Sequence, residues 1–168
     1  MENNTLIFRE MLSEDYSRVK EIYLGGIATG NATFQTEAPN WEDWDVSHLK
    51  NSRIIALIND EIVGWGALSP VSGRCVYAGV AEVSVYVDGL FRGMQLGTKI
   101  LEKLVDESEQ NGIWTLTAGI FPENIASIKA HEKNGFRVQG SREKIGKLNG
   151  VWRDTLLLER RSKIIGIN

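Results

Sequence analysis

The sequence is poor in the residues that form covalent and metal cross-links. It contains one cysteine, Cys75, and two histidines among its 168 residues. A single cysteine forms no intramolecular disulfide, and no zinc-ligand spacing is present. We therefore expect neither a disulfide framework nor a metal site, and the cytoplasm is the default location.

Features of membrane and nucleic-acid proteins are also missing. The first residues, MENNTLIFRE, lack the basic stretch and apolar run that are typical of a signal peptide. No apolar run reaches the roughly 18 residues of a membrane helix. The net charge of −3 disfavours non-specific binding to nucleic acid, which needs a basic surface. We expect neither a membrane nor a nucleic-acid partner.

Hydrophobic residues make up 42% of the chain and charged residues 24%, as in an ordinary globular protein. We expect one domain over residues 1–168. Apolar periodicity predicts the order β-α-α-β-β-β-α-β-α-β-β, with Ser13 and Asn40 as helix N-caps. The predicted strands are 5–9, 53–59, 61–68, 75–87, 113–120, 136–145 and 151–159. The predicted helices are 13–28, 41–50, 97–110 and 124–134, and the order indicates a mixed α/β sheet.

The segment LFRGMQLG (90–97) links the valine-rich strand GVAEVSVYV to a predicted helix. One interpretation is an ordinary strand-to-helix turn. The other is a phosphate site, because free N–H groups at a helix N-terminus attract anions, glycines allow close approach, and Arg92 adds a charge. The segment GGIATG (25–30) follows a helix and lacks GK[ST], so it does not indicate a P-loop.

A second segment, NIASIKAHEKNGF (124–136), has Asn124, Ser127 and His131 on roughly one helix face. Together with AEVSVYV and FRGMQLG, it resembles the GNAT superfamily of acyl-CoA N-acetyltransferases, whose cofactor motif is [Q/R]-x-x-G-x-[G/A]. The segments IATGNATFQTE, SGRCVYAGVAEVSVYVD and AHEKNGF are similar to the phosphinothricin N-acetyltransferase branch. The resemblance runs from about Leu6 to Leu158.

The resemblance implies an α/β fold with a mixed, mostly antiparallel central sheet of about seven strands flanked by helices. It also implies acetyl-CoA as the acetyl donor, with its pyrophosphate on the glycine turn and its pantetheine arm beside the central strand. Gln95 stands where the family usually has glycine, and a positive φ there costs about 1 kcal/mol. The implied cofactor-binding residues are Val85, Tyr86, Val87, Arg92, Gly93, Met94, Gln95, Leu96, Gly97, Thr98, Asn124 and Lys133.

Several of these residues also have ordinary structural interpretations. Val85 to Val87 can be core strand, Asn124 an N-cap and Lys133 a solvated lysine. Glu82 lies on the strand face opposite the valines, where burial of a carboxylate without partners is costly. It is a surface residue, a member of an ion pair, or the base for the acceptor amine. A base is needed because only a neutral amine attacks a thioester. An α-amino group has a pKa of about 8, so most of it is protonated at pH 7.

His131 is either a helix histidine bonded to the main chain or a proton relay or acid near the leaving thiolate. The acceptor implied by the resemblance is the α-amino group of a small amino-acid analogue such as phosphinothricin, methionine sulfoximine or methionine sulfone. Direct transfer is expected, because Cys75 has no visible acid-base partner. The implied substrate-binding residues are Phe34, Arg74, Tyr77, Glu82 and Asn124.

In this interpretation Arg74 binds the substrate carboxylate, while Phe34 and Tyr77 wall the side-chain pocket. An exposed loop arginine and two core aromatics are the alternatives. A polyamine or a protein N-terminus as acceptor, and a non-catalytic acyl-CoA sensor, stay open as other functions. By analogy with the branch, a homodimer is also expected.

Overall fold

The computed structural model of the protein describes residues 5–168, so the first four residues of the predicted domain lie outside the described part. Within residues 5–168, seven strands and four α-helices follow one another in the predicted order. They are β1 (Leu6–Glu10), α1 (Tyr16–Ala28), α2 (Trp41–Ser47), β2 (Ile54–Ile58), β3 (Glu61–Pro70), β4 (Val80–Val87), α3 (Leu96–Gln110), β5 (Thr115–Ile120), α4 (Ile125–Lys133), β6 (Arg137–Leu148) and β7 (Val151–Arg161).

All seven strands belong to one sheet with the order β1-β2-β3-β4-β5-β7-β6. The β4–β5 pair is parallel. The other pairs are antiparallel. The prediction of a mixed, mostly antiparallel seven-stranded sheet flanked by helices is therefore confirmed. Between Thr5 and Asn168, no helix is long and apolar enough to cross a membrane.

Each face of the sheet is covered by helices. On one face, Ile100, Leu101 and Leu104 of α3 are fully buried in a cluster that includes Ala81 and Val83 of β4. The second cluster joins α1 and α2 to the other face, and its buried members are Met11, Tyr16, Val19, Ile22, Trp44, Ile55, Trp65 and Ala67. The period-2 alternation of β4 therefore divides its side chains between the two layers, as the sequence predicted.

The structure confirms the predicted helix cap at Asn40 and the predicted hairpin turn at Asn149 and Gly150. Asn40 caps α2, because its Oδ1 accepts a hydrogen bond from the Asp43 N–H at 2.9 Å. The last hairpin turns at Asn149 and Gly150, both with positive φ (48° and 80°), as a tight hairpin turn requires.

The predicted strand 75–87 begins too early. Cys75–Tyr77 is a 3₁₀ turn, with the Ala78 N–H donating to the Cys75 carbonyl at 3.1 Å, and β4 starts only at Val80. The uncharged run CVYAGV resembles a strand but lacks alternation. Gly79 also lies against the Trp114 ring, where an added Cβ would come within 2.0 Å.

Other boundaries differ by a few residues. Ser13 does not cap α1, because a 3₁₀ turn, Ser13–Asp15, precedes that helix. The helix predicted over 41–50 ends at Ser47, and β3 continues to Pro70 where a loop was predicted. The strand predicted from Ile113 begins at Thr115. Sheet pairing also lengthens β6 and β7 beyond their predicted ends.

Candidate active site

A cleft opens where the two parallel strands diverge. β4 and β5 pair only through Val80–Glu82 and Thr115–Thr117, whereas β3 pairs with β4 as far as Val87. From Val83 onward, the edge of β4 that faces β5 has no strand partner within residues 5–168. The cleft has a volume of about 930 Å³, and β4, β5, α4, β6 and the loop between α1 and α2 line it. Free main-chain groups on β4 suit an extended, amide-bearing ligand.

Glu82 lies in this cleft at the last β4 residue that pairs with β5. Solvent reaches its side chain, yet protein atoms surround it closely enough that desolvation raises the pKa of the carboxyl above its ordinary value. The nearby charge of Arg142 lowers that pKa by a smaller amount. A carboxylate with a raised pKa, open to a cleft, has the properties of a general base.

His131 is 6% exposed and lies on the cleft wall formed by α4. Its Nδ1 lies 2.7 Å from the Ser127 carbonyl oxygen, which can only accept, so Nδ1 carries the proton. Burial lowers the pKa of the imidazole, and the bond to Ser127 offsets this only in part. The ring is therefore neutral at pH 7, and Nε2 is left as the proton-accepting atom.

Asn124 has two structural bonds and also lines the cleft. Its Oδ1 accepts from the Ser127 N–H at 3.3 Å, which caps α4 as one interpretation of the sequence predicted. Its Nδ2 donates to the Asn31 carbonyl at 3.1 Å and ties the α1–α2 loop to α4. Asn124, Ser127 and His131 thus share the cleft face of α4, as their spacing indicated.

The glycine turn leads directly into α3. Gly93 has φ +81°, and apart from its chain neighbours no atom of the described residues lies within 4 Å of an added Cβ. Gln95 has φ 57° as the helix N-cap. The Gln95 side chain makes no capping hydrogen bond. In every α-helix, the first N–H groups have no acceptor within the helix. Those at the start of α3 are therefore available to an anion. The residues present therefore fit the pyrophosphate of acetyl-CoA.

The remaining predicted cofactor residues lie between the cleft and this turn. Val85 and Tyr86 line the cleft, while Val87 packs against the core on the α3 side. Lys133 is exposed at the end of α4. The next residue, Asn134, donates from Nδ2 to the Thr98 carbonyl at 3.1 Å, so the end of α4 lies beside the first turn of α3.

The predicted substrate residues are not all brought together. Phe34 lines the cleft and packs edge-to-face against Phe121 at 4.8 Å between ring centroids. Arg74 and Tyr77 do not line it in the described chain. Their side chains instead contact each other, with the Arg74 guanidinium carbon 5.6 Å from the Tyr77 ring centroid, and Tyr77 is 45% exposed. Their predicted roles stay predictions.

Two arginines of the last hairpin were missed. Arg142 lines the cleft. Arg153 donates to the Gly30 carbonyl at 2.9 Å and to Asn31 Oδ1 at 2.8 Å, and its guanidinium lies 4.1 Å from the Phe121 ring centroid. It therefore fixes the loop that carries Phe34. Strand alternation offered no signal for either role. Both roles depend on which parts of the fold lie beside the last hairpin, namely the cleft for Arg142 and the α1–α2 loop for Arg153.

Comparison with known proteins agrees with this geometry. Residues 8–136 match the profile described as the Acetyltransferase (GNAT) family. YwnH from Bacillus subtilis (strain 168) is 33% identical over 152 residues, which cover 87% of this chain and 93% of YwnH. The L-methionine sulfoximine/L-methionine sulfone acetyltransferase of Pseudomonas aeruginosa PAO1 is 29% identical over 143 residues, covering 79% and 81% of the two chains.

A solved structure shares the fold. The crystal structure of a GNAT superfamily phosphinothricin acetyltransferase (Pat) from Sinorhizobium meliloti, in complex with AcCoA, matches with a TM-score of 0.84 at 26% identity. The match covers 94% of this chain and 88% of that chain. With its profile matched from β1 to just beyond α4, and with this shared fold, the chain belongs to the acetyltransferase (GNAT) family.

Proposed function

We propose that the protein transfers an acetyl group from acetyl-CoA to the α-amino group of a small amino-acid analogue of the phosphinothricin, methionine sulfoximine or methionine sulfone type. The observation that carries this proposal is the position of Glu82. Its carboxylate lies in the cleft where β4 leaves β5, on the strand that leads to the glycine turn. The names of the Pseudomonas and Sinorhizobium relatives support the acceptor class.

Bound acetyl-CoA supplies the thioester carbonyl that is attacked. The free edge of β4 at Val85 and Tyr86 orients the donor's amide-bearing arm, and the N–H groups at the start of α3 hold its diphosphate. The acceptor ammonium loses a proton to Glu82, directly or through water, and the neutral nitrogen attacks. The C–N bond forms and the C–S bond breaks, and the thiolate leaves with the electron pair of that bond. The nitrogen then gives its second proton to this thiolate, so that the products are the amide and the free thiol.

His131 is proposed to relay protons on the α4 side of the cleft. Because Nδ1 donates to the Ser127 carbonyl, only Nε2 exchanges a proton. The lowered pKa of the imidazole keeps the ring neutral at pH 7, which suits a proton relay better than a permanently protonated acid. The donor and acceptor are proposed to be bound together, so that transfer is direct. Cys75 is exposed in the turn before β4 and does not line the cleft of the described chain, which agrees with transfer without a covalent intermediate.

Thiol release with acetyl-CoA tests this proposal. We expect release with the three amino-acid analogues and little with a polyamine or a peptide that has a free N-terminus, at several pH values between 6.5 and 9. Release with the polyamine or peptide alone would contradict the acceptor class. Acetyl-CoA binding without release for any amine would instead indicate a non-catalytic sensor.

We also propose that the protein acts in the cytoplasm as a homodimer, with small molecules rather than nucleic acid or membrane as ligands. The acidic net charge of −3 supports the ligand class. The exposed aromatics Tyr77 and Trp152, 45% and 55% exposed, are candidates for a subunit contact. Light scattering after size exclusion measures the mass, and 18.8 kDa is the monomer.

A further inference from the structure

The described residues that line the cleft include one strong cation. Arg142 is the only arginine or lysine among the described residues that line it. Burial lowers the pKa values of His48 and His131, so both rings are neutral at pH 7. The cleft also holds three carboxylate side chains, Glu37, Asp43 and Glu82. An ammonium group therefore meets several complementary charges in this cleft, whereas an acid group meets one.

No other group of the described residues bonds to this cation. In residues 5–168, the Arg142 guanidinium has no hydrogen bond or ion pair to another group. Arg153 on the neighbouring strand has bonds to Gly30 and Asn31. Glu82 feels the charge of Arg142 electrostatically, but the two groups do not form an ion pair. The five N–H donors of Arg142 are thus available to a ligand beside Glu82.

Strand pairing places Arg142 at the cleft, because Arg142 lies opposite Thr155 of β7, which also lines the cleft. The register of β6 against β7 shifts between Arg142 and Gly146, and Lys144 inside the bulge has φ 45°. The Lys144 N–H donates to Asp154 Oδ1 at 2.7 Å, which holds the bulge to β7. Arg142 and Ile145 would lie on opposite faces of a regular strand, yet both line the cleft. Bulges commonly redirect side chains, and this one brings Ile145 to the cleft beside Arg142.

We propose that the Arg142 guanidinium binds the α-carboxylate of the acceptor, so that Arg142 and Glu82 together orient the two charged groups of an amino acid. This inference rests on the proposed function. The α-carboxylate is favoured over a side-chain acid because one carbon separates it from the amine, and Arg142 lies within electrostatic range of Glu82. Arg142 then has the role that the sequence predicted for Arg74.

The test compares methionine sulfone with its carboxamide, which has the same amine and side chain without the negative charge. Values of kcat/KM are measured for wild type, Arg142→Gln, Arg142→Lys and Arg74→Gln. Lys147→Met is the matched control, because Lys147 is exposed on the same strand and contacts Trp152 rather than the cleft. Thermal melts check folding, and the exposed position of Arg142 predicts little change.

We expect Arg142→Gln to lower kcat/KM for methionine sulfone by about 10- to 100-fold, mainly through KM, because a charge-assisted hydrogen bond is lost. The value for the carboxamide stays within about twofold, Arg142→Lys retains part of the preference, and Lys147→Met retains all of it. The decisive quantity is the ratio of kcat/KM for methionine sulfone to kcat/KM for its carboxamide. If wild type is active and Arg142→Gln keeps this ratio, or if only Arg74→Gln loses it, the inference is wrong while the proposed function stands. A wild type inactive on every amino acid refutes the proposed function, and the inference with it.

Discussion

Replacing Glu82 with glutamine removes the base while keeping nearly the same shape. Glu82 lies in the cleft, and burial raises the pKa of its carboxyl, which brings its proton affinity closer to that of the amine. An α-amino group with a pKa of about 8 is neutral in roughly one molecule in ten at pH 7, and each pKa unit is about 1.4 kcal/mol. A positioned general base contributes about 10²- to 10⁴-fold.

We therefore expect Glu82→Gln to lower kcat at pH 7 by about 10²- to 10³-fold with little change in KM for acetyl-CoA. The residual rate should rise about tenfold per pH unit until the amine is neutral near pH 8, because the amine must then lose its proton to water. In wild type, the acidic limb of kcat/KM should lie above the ordinary glutamate pKa of about 4.3.

Thiol release with methionine sulfone from pH 5.5 to 9.5 measures both profiles. Glu132→Gln is the matched control, because it removes the same charge from the exposed surface of α4, one residue from His131. If Glu82→Gln keeps the wild-type rate and pH profile, Glu82 is not the base. A loss that is equal at pH 7 and pH 9.5 would indicate a positioning role instead.

Two further predictions concern the cofactor turn and the α4 side of the cleft. Gln95→Gly should raise the free energy of unfolding by about 1 kcal/mol, because Gln95 has φ 57° and glycine adopts a positive φ without strain. Met94→Gly should lower that free energy, because φ is not positive at Met94. Denaturant titration measures both, and the reverse ranking would contradict this account. In ¹⁵N NMR, His131 should keep the neutral tautomer protonated at Nδ1 from pH 8 to below 6.5, because burial lowers its pKa and Nδ1 is bonded to Ser127. Titration of His131 at or above pH 6.5 would show that the ring is not buried as described.

Local patterns predicted the elements whose signals are short in range. Alternation in AEVSVYV indicated two faces of β4, and the structure has Val83 in the core and Glu82 in the cleft. The cap at Asn40 and the turn at Asn149 depend on bonds and dihedral angles within a few residues, so they too could be read from the sequence. The uncharged run from Cys75 misled the prediction because burial and strand pairing, rather than hydrophobicity alone, decide where a strand begins.

The sequence by itself determined which side chains share a face, because periodicity is a property of a single element. Only the tertiary structure decided which faces meet. The cleft opens where β4 and β5 stop pairing. The pairing of Arg142 with Thr155 and the bond from Arg153 to Gly30 then bring residues from other parts of the chain to it. Such contacts depend on strand order and register, which local hydrophobic patterns do not specify.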